Sequence, residues 1–190
     1  AATAGLILSF HPYFIPVGGS NALGNFGYVD CYSELLKQQE DLQLKFDYVV
    51  AASGSGGTHG GLIIGQILSG ADMRVKAYNV QPEHDELVDH TMAICNETLQ
   101  WLGRSPISKD EINLNSSYSG AAYGFPEDIH LETLQLLAKQ EGVFLDPVYT
   151  AKAFTGLVQD IKKGIFPLGS SIVFVHTGGT PGLFAYNNLY

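Results

Sequence analysis

At 190 residues, 45% hydrophobic and 15% charged, the chain has the balance of a soluble globular domain, which excludes collagen, a coiled coil and intrinsic disorder. Ten Lys and Arg against 19 Asp and Glu leave a net charge of −9, without the basic surface that a nucleic-acid partner requires. No apolar run approaches the roughly 18 residues of a membrane span, and the two cysteines, Cys31 and Cys95, in no metal-like spacing, fit a reducing, cytoplasmic setting.

Residues 6–10 and 13–17 are short apolar or aromatic runs around Pro12 and Pro16, read as a strand and then a glycine loop with Gly18, Gly19, Gly24 and Gly27. From Tyr28, the positions Tyr28, Tyr32, Leu35 and Leu36 recur at helical spacing and predict a surface helix ending in polar residues 37–41. Residues 46–52 form an almost continuous apolar run, as in a strand buried on both faces, and lead into Ser53-Gly54-Ser55-Gly56-Gly57-Thr58-His59-Gly60-Gly61. A buried helix over 62–68, stopped by Gly70, and a second strand over 75–80 complete a parallel crossover unit, hence an α/β fold. Val88, Met92, Cys95, Leu99 and Leu102 mark an amphipathic helix, residues 105–126 read as loop, and 127–140 as a helix stopped by Gly142. After a short apolar stretch over 143–148, Phe154, Leu157, Val158 and Ile161 predict a further helix. Residues 172–175 then read as a buried strand running into a second glycine turn, His176-Thr177-Gly178-Gly179.

The 22 glycines are about 12% of the chain, against roughly 7% in average usage, and they concentrate at these turns. Between a strand and a helix, bare backbone N–H groups and the helix dipole make a cradle for phosphate; the competing reading is tight helix-on-strand packing. A P-loop needs a lysine beside Thr58 and has none, and a dinucleotide loop meets His59 at its third glycine and Asn79 where the ribose-binding acid belongs. A nucleophile elbow fails because Ser53 stands where glycine is required. Both glycine turns follow strands, so in a parallel sheet both lie at the carboxyl edge and one ligand can span them. Thr150 is either a helix N-cap or a site residue, and Tyr123 and Tyr149 are either core aromatics or ligand contacts. His59 and His176 adjoin the turns as ligand donors or as supports behind them. His84 and His90, with Asp85 and Asp89, match no metal pattern, and the acidic cluster around them reads as the solvated face of a helix. Lys152 reads as a solvated or ion-paired side chain.

Four blocks, Pro12-Tyr13-Phe14-Ile15-Pro16-Val17-Gly18-Gly19-Ser20, the loop over 53–61, Leu145-Asp146-Pro147-Val148-Tyr149-Thr150 and His176-Thr177-Gly178-Gly179-Thr180-Pro181-Gly182-Leu183-Phe184, resemble the D-cysteine desulfhydrase and 1-aminocyclopropane-1-carboxylate deaminase family. These are pyridoxal-phosphate enzymes of the tryptophan synthase β-subunit fold. The resemblance implies a three-layer α/β sandwich on a mainly parallel sheet, with residues 1–190 as a single, N-terminally incomplete domain, the C-terminal part of a longer two-domain homodimeric enzyme. By the same resemblance Ser55, Gly56, Gly57, Thr58 and Gly60 would hold the phosphate of pyridoxal 5'-phosphate, Tyr149 would lie against its ring and Thr177 would bond the ring nitrogen. Tyr123 would border a small amino-acid substrate, making Tyr149 and Tyr123 the catalytic candidates.

The deaminases resemble this chain less at Thr150, where they carry Glu, so the expectation is α,β-elimination on D-cysteine to pyruvate, ammonia and hydrogen sulfide. A cyclopropane deaminase or a cysteate sulfo-lyase is the alternative within the family, and a non-catalytic phosphate-ligand binding fragment the alternative outside it. The family's cofactor-bearing lysine and its Ser/Asn-rich carboxylate-binding loop are expected upstream of Pro12, so these 190 residues alone are expected to be inactive.

Overall fold

The computed structural model describes residues 12–186, and the strand read at residues 6–10 lies outside the described residues. A 3-10 turn, Val17–Gly19, leads into α1 (Ala22–Leu42), β1 (Tyr48–Ser53), α2 (Gly57–Ser69), β2 (Arg74–Asn79), α3 (His84–Trp101), β3 (Leu114–Asn115), α4 (Asp128–Glu141), α5 (Thr150–Lys162) and β4 (Ile172–Phe174). The four described strands pair in parallel in the order β3-β2-β1-β4, with Tyr48 opposite Arg74 and Ser53 opposite Asn79.

Successive residues of β1 point to opposite faces, and both faces are covered. Val49 and Ala51 pack with Tyr32, Leu62, Ile64, Cys95 and Leu99 of α1, α2 and α3. Val50 and Ala52 pack with Ala153, Leu157 and Phe166 on the α5 side. A third cluster of Leu134, Leu145, Ala151 and Leu183 binds α4 to α5. The result is a three-layer α/β sandwich, which is why β1 reads as one unbroken apolar run.

The structure moves several boundaries. α1 starts six residues before Tyr28, because the Asn21 side chain caps it by accepting from Gly24 N at 2.8 Å, so Gly24 and Gly27 are helical. α2 starts at Gly57, which shortens the glycine loop to Gly54, Ser55 and Gly56. β3 forms inside the segment read as loop, pairing Leu114 with Ala77. β4, read as a buried strand, is only half-buried, because in the described sheet it is an edge with β1 as its single neighbour.

Part of the glycine surplus belongs to the contact of α2 with α1 and with the residue that leads into it. A Cβ on Gly61 would stand 2.5 Å from both Asn25 O and Tyr28 Cβ, and one on Gly65 2.5 Å from Tyr32 Cβ. Gly57 meets Ser20 in the same way, at 2.7 Å from its Oγ. Spaced by four, these three glycines form one stripe on α2: Gly61 and Gly65 let the two helices approach, and Gly57 lets Ser20, two residues before α1, sit against the helix start. The packing reading therefore holds at these positions, with a helix as the partner in place of a strand.

Candidate functional site

Because the strands are parallel, the turn after β1 and the turn after β4 open at the same edge of the sheet. A cavity of about 600 Å³ lies between them. Ser55, Thr58, Tyr123, Tyr149 and Thr177 line it together with Gly54, Gln81, Tyr28, Ala52, Val17, Gly18, Gly178 and Gly179. The polar lining is hydroxyls and one carboxamide, with no charged side chain.

At the phosphate-cradle end the N-cap position of α2 is Gly56, which has no side chain to cap the helix and turns into it with φ of 84°. Gly57 N donates to Ser20 Oγ at 3.3 Å, and Ser20 Oγ donates to Ser55 Oγ at 2.6 Å. This relay leaves the Ser55 hydroxyl hydrogen free to donate toward the cavity. With Thr58 on the first turn and the positive end of the helix dipole behind them, the arrangement suits an anion. Gly56, Gly57 and Gly60 stand behind this wall without lining the cavity. A Cβ on Gly56 would meet Thr91 Oγ1 at 2.6 Å, one on Gly60 would meet Cys95 Sγ at 3.0 Å, and the Gly60 amide is spent on Gly56 O.

The opposite wall is organised by Asp146, which is buried. Its carboxylate accepts from the amides of Val148, Tyr149 and Thr150 at 2.8–2.9 Å and from Thr150 Oγ1 at 2.6 Å. Asp146 thus caps α5, and Thr150 is its first helical residue instead of its N-cap, with the hydroxyl turned to Asp146. The cap presents the Tyr149 ring beside Gly54, where a Cβ would stand 3.4 Å from it. Tyr123 meets Tyr149 edge-on at 5.7 Å between centroids, and their hydroxyls are hydrogen bonded. Burial, then the Tyr123 hydroxyl, pushes the Tyr149 phenol up to about 12. Asp146 also touches the second glycine turn: a Cβ on Gly179, whose φ is 88°, would fall 2.7 Å from Asp146 Cγ. His176 braces that turn, donating from Nε2 to Phe144 O at 2.8 Å and accepting at Nδ1 from Gly178 N at 3.1 Å.

A family model described as pyridoxal-phosphate dependent enzyme matches residues 2–178. The chain belongs to that family. A D-cysteine desulfhydrase of Serratia proteamaculans is 40% identical over 181 residues, covering 94% of this chain and 53% of the relative. A 1-aminocyclopropane-1-carboxylate deaminase of Pseudomonas syringae pv. tomato is 36% identical over 182 residues, covering 94% and 54%. Among solved structures, an ACC deaminase homologue superposes with a TM-score of 0.83 at 36% identity, over 92% of this chain and 51% of that one. A fungal L-serine ammonia-lyase from Rhizomucor miehei, at 17% identity and a TM-score of 0.57, shares the fold. The chain thus spans about half the length of the curated relatives it matches.

Membership of the pyridoxal-phosphate dependent enzymes makes that group the cofactor to test against the cavity, and the residues fit it. A helix start with a glycine at its N-cap and the Ser55 and Thr58 hydroxyls beside it suits a phosphate, Tyr149 supplies a flat aromatic wall, and Thr177 brings a hydroxyl from the opposite turn. Two supporting side chains escape the sequence reading. Asp146 carries the signal of an acid four residues ahead of the first helical residue but gives no hint of four bonds. Lys152, read as solvated or ion-paired, is instead fully buried, and its Nζ donates to three main-chain carbonyls. Burial drives its pKa downward, with Glu127 partly opposing. His59, also fully buried, has neither ring nitrogen bonded, and lies outside the cavity lining. Among the described residues, no group of three His, Cys, Asp or Glu side chains could hold a metal ion, and no helix is long and apolar enough to cross a membrane.

Proposed function

We propose that the whole protein is a pyridoxal-phosphate-dependent lyase that carries out α,β-elimination on a small amino acid, D-cysteine foremost, releasing pyruvate, ammonia and hydrogen sulfide with uptake of one water. The observation that carries this reading is the uncharged, hydroxyl-rich cavity bounded by the Tyr123–Tyr149 pair, with position 150 a threonine turned to Asp146. A ring-opening deaminase is the reading that a carboxylate at position 150 would favour.

In this proposal Ser55, Thr58 and the amides of the 55–58 turn other than that of Gly57, which Ser20 Oγ holds, would bind the phosphate, and the bare α-carbons of Gly56, Gly57 and Gly60 would let the turn settle against Thr91, Ser20 and Cys95 behind it. Tyr149 would flank the pyridine ring, and the Thr177 hydroxyl would serve the ring nitrogen. Bound pyridoxal phosphate supplies an electron sink conjugated to the substrate α-carbon, which makes the α-proton removable. A hydroxyl at the ring nitrogen does not enforce its protonation as a carboxylate does, which favours loss of a β-substituent over transamination. The Tyr149 hydroxyl, held up to about 12, stays protonated at neutral pH. It can donate a hydrogen bond to a departing sulfur but not its proton outright, since a thiol ordinarily ionises near 8.5.

The test is a substrate panel on the complete protein loaded with pyridoxal phosphate: D-cysteine, L-cysteine, cysteate and 1-aminocyclopropane-1-carboxylate. D-cysteine should yield pyruvate and sulfide in equal amounts, with 2-oxobutyrate from the cyclopropane formed at least a hundredfold more slowly. Production of 2-oxobutyrate without sulfide release from any thiol substrate overturns the proposal. Failure of borohydride to trap any lysine adduct of the cofactor would favour a non-catalytic binding role. A homodimer and a cytoplasmic setting accompany the proposal and are checked by sedimentation and by fractionation.

A further inference from the structure

Lys152 lies one helical turn past Tyr149 on α5 and is fully buried. Its Nζ donates to Ser119 O at 2.6 Å, Ala122 O at 2.9 Å and Val80 O at 3.1 Å. Three acceptors match the three hydrogens of an ammonium, whereas a neutral amine has two. The ion pairs of the described residues, Lys76 with Asp160 and Lys109 with Asp89, do not include it. A cation buried with no carboxylate in contact, Glu127 acting on it only at a distance, is expensive, and an apolar side chain of the same length would fill the space without that cost. The three carbonyls explain why the charge is there. Val80 immediately precedes Gln81, Ala122 immediately precedes Tyr123, and both Gln81 and Tyr123 line the cavity. The ammonium therefore ties the end of β2, the turn over 119–122 and the first turn of α5 to one point.

We propose that Lys152 is a positioning residue for the reaction: by clamping the turn over 119–122 to β2 it holds Tyr123 against Tyr149, and so sets the room for the β-substituent of the substrate. This rests on the reading of the cavity as the amino-acid site. Lys152 touches neither cavity nor ligand, and it acts only through Tyr123 and Gln81.

The experiment compares the complete protein with its Lys152→Met and Lys152→Gln variants. It reads amide exchange over residues 119–124, cofactor affinity by absorbance titration, and KM and kcat for D-cysteine. In Lys152→Met the 119–124 amides should exchange at least tenfold faster while those of α2 are unchanged. Cofactor affinity should stay within threefold, and KM should rise at least tenfold. Lys152→Gln, which keeps two donors, should fall between. In Tyr123→Ala the KM penalty of Lys152→Met should largely vanish, because the two changes act on the same contact. Unchanged exchange and KM, a loss of affinity for the cofactor equal to the rise in KM, or failure of both Lys152 variants to fold would overturn the proposal. If the parent protein turns over no amino acid, it is the lyase reading that fails, and exchange over 119–124 still reports whether the clamp exists.

Discussion

His59 is held neutral by its surroundings: burial lowers its pKa from 6.5 to about 4. Between those values the unfolded chain binds a proton that the folded chain does not, so stability rises with pH across this window and is fully present above it. A shift of this size corresponds to about 3 kcal/mol. Urea midpoints of the complete protein should therefore fall as pH drops from 6.5 toward 4, and His59→Leu should remove much of that slope. An unaltered slope in the variant would place the titration elsewhere. The residues around the cavity divide by how they signal themselves. Ser55, Thr58 and Thr177 stand in glycine-rich turns after apolar runs, and such turns are legible because backbone geometry demands them. Asp146 and Lys152 are charged side chains whose burial is decided by segments 30 or more residues away or by a bend in the chain, and no local pattern announces it.

Between α1 and α2 the glycine stripe makes a prediction with two signs. In an open helix position, alanine is favoured over glycine by about 1 kcal/mol. Gly27→Ala on α1, whose Cβ would meet nothing within 4 Å, should raise the urea midpoint accordingly. Gly61→Ala or Gly65→Ala drives a methyl group to 2.5 Å from α1 and should lower stability by about 2 kcal/mol net, the overpacking cost exceeding the propensity gain. Equal effects at Gly27 and Gly65 would mean that the helices do not meet as described. Helices with long apolar stripes, α3 and α5, are readable from spacing alone. The first turn and a half of α1 is not, because Gly24 and Gly27 weaken its propensity and its support comes from the Asn21 cap and from contact with α2. β3 is two residues long, too short to show any alternation, and is a strand only because β2 lies beside it.

For the molecule as a whole, the described residues leave large apolar side chains in solvent: Phe14, Val17, Leu168 and Phe184 are each more than three-quarters exposed. The curated relatives are about twice as long as the matched segment. Expressed by themselves, these 190 residues are predicted to self-associate through such surfaces despite the net charge of −9. Sedimentation velocity checks this, and a monomer with a cooperative melt would contradict it. The α/β architecture was legible from the strand, turn, helix, strand order, because parallel strands require a crossover. The half-burial of β4 was not, since edge position depends on which strands lie beside it.

In the proposed enzyme, the cavity at the carboxyl edge of the sheet holds pyridoxal phosphate between the two glycine turns. The decisive measurement is a crystal structure of the complete protein with the cofactor bound. The phosphate should lie within hydrogen-bonding distance of Ser55 and Thr58 at the start of α2, with the ring against Tyr149 and the ring nitrogen at the Thr177 hydroxyl. A phosphate bound away from the start of α2, or a ring that leaves Tyr149 and Thr177 untouched, would contradict this placement.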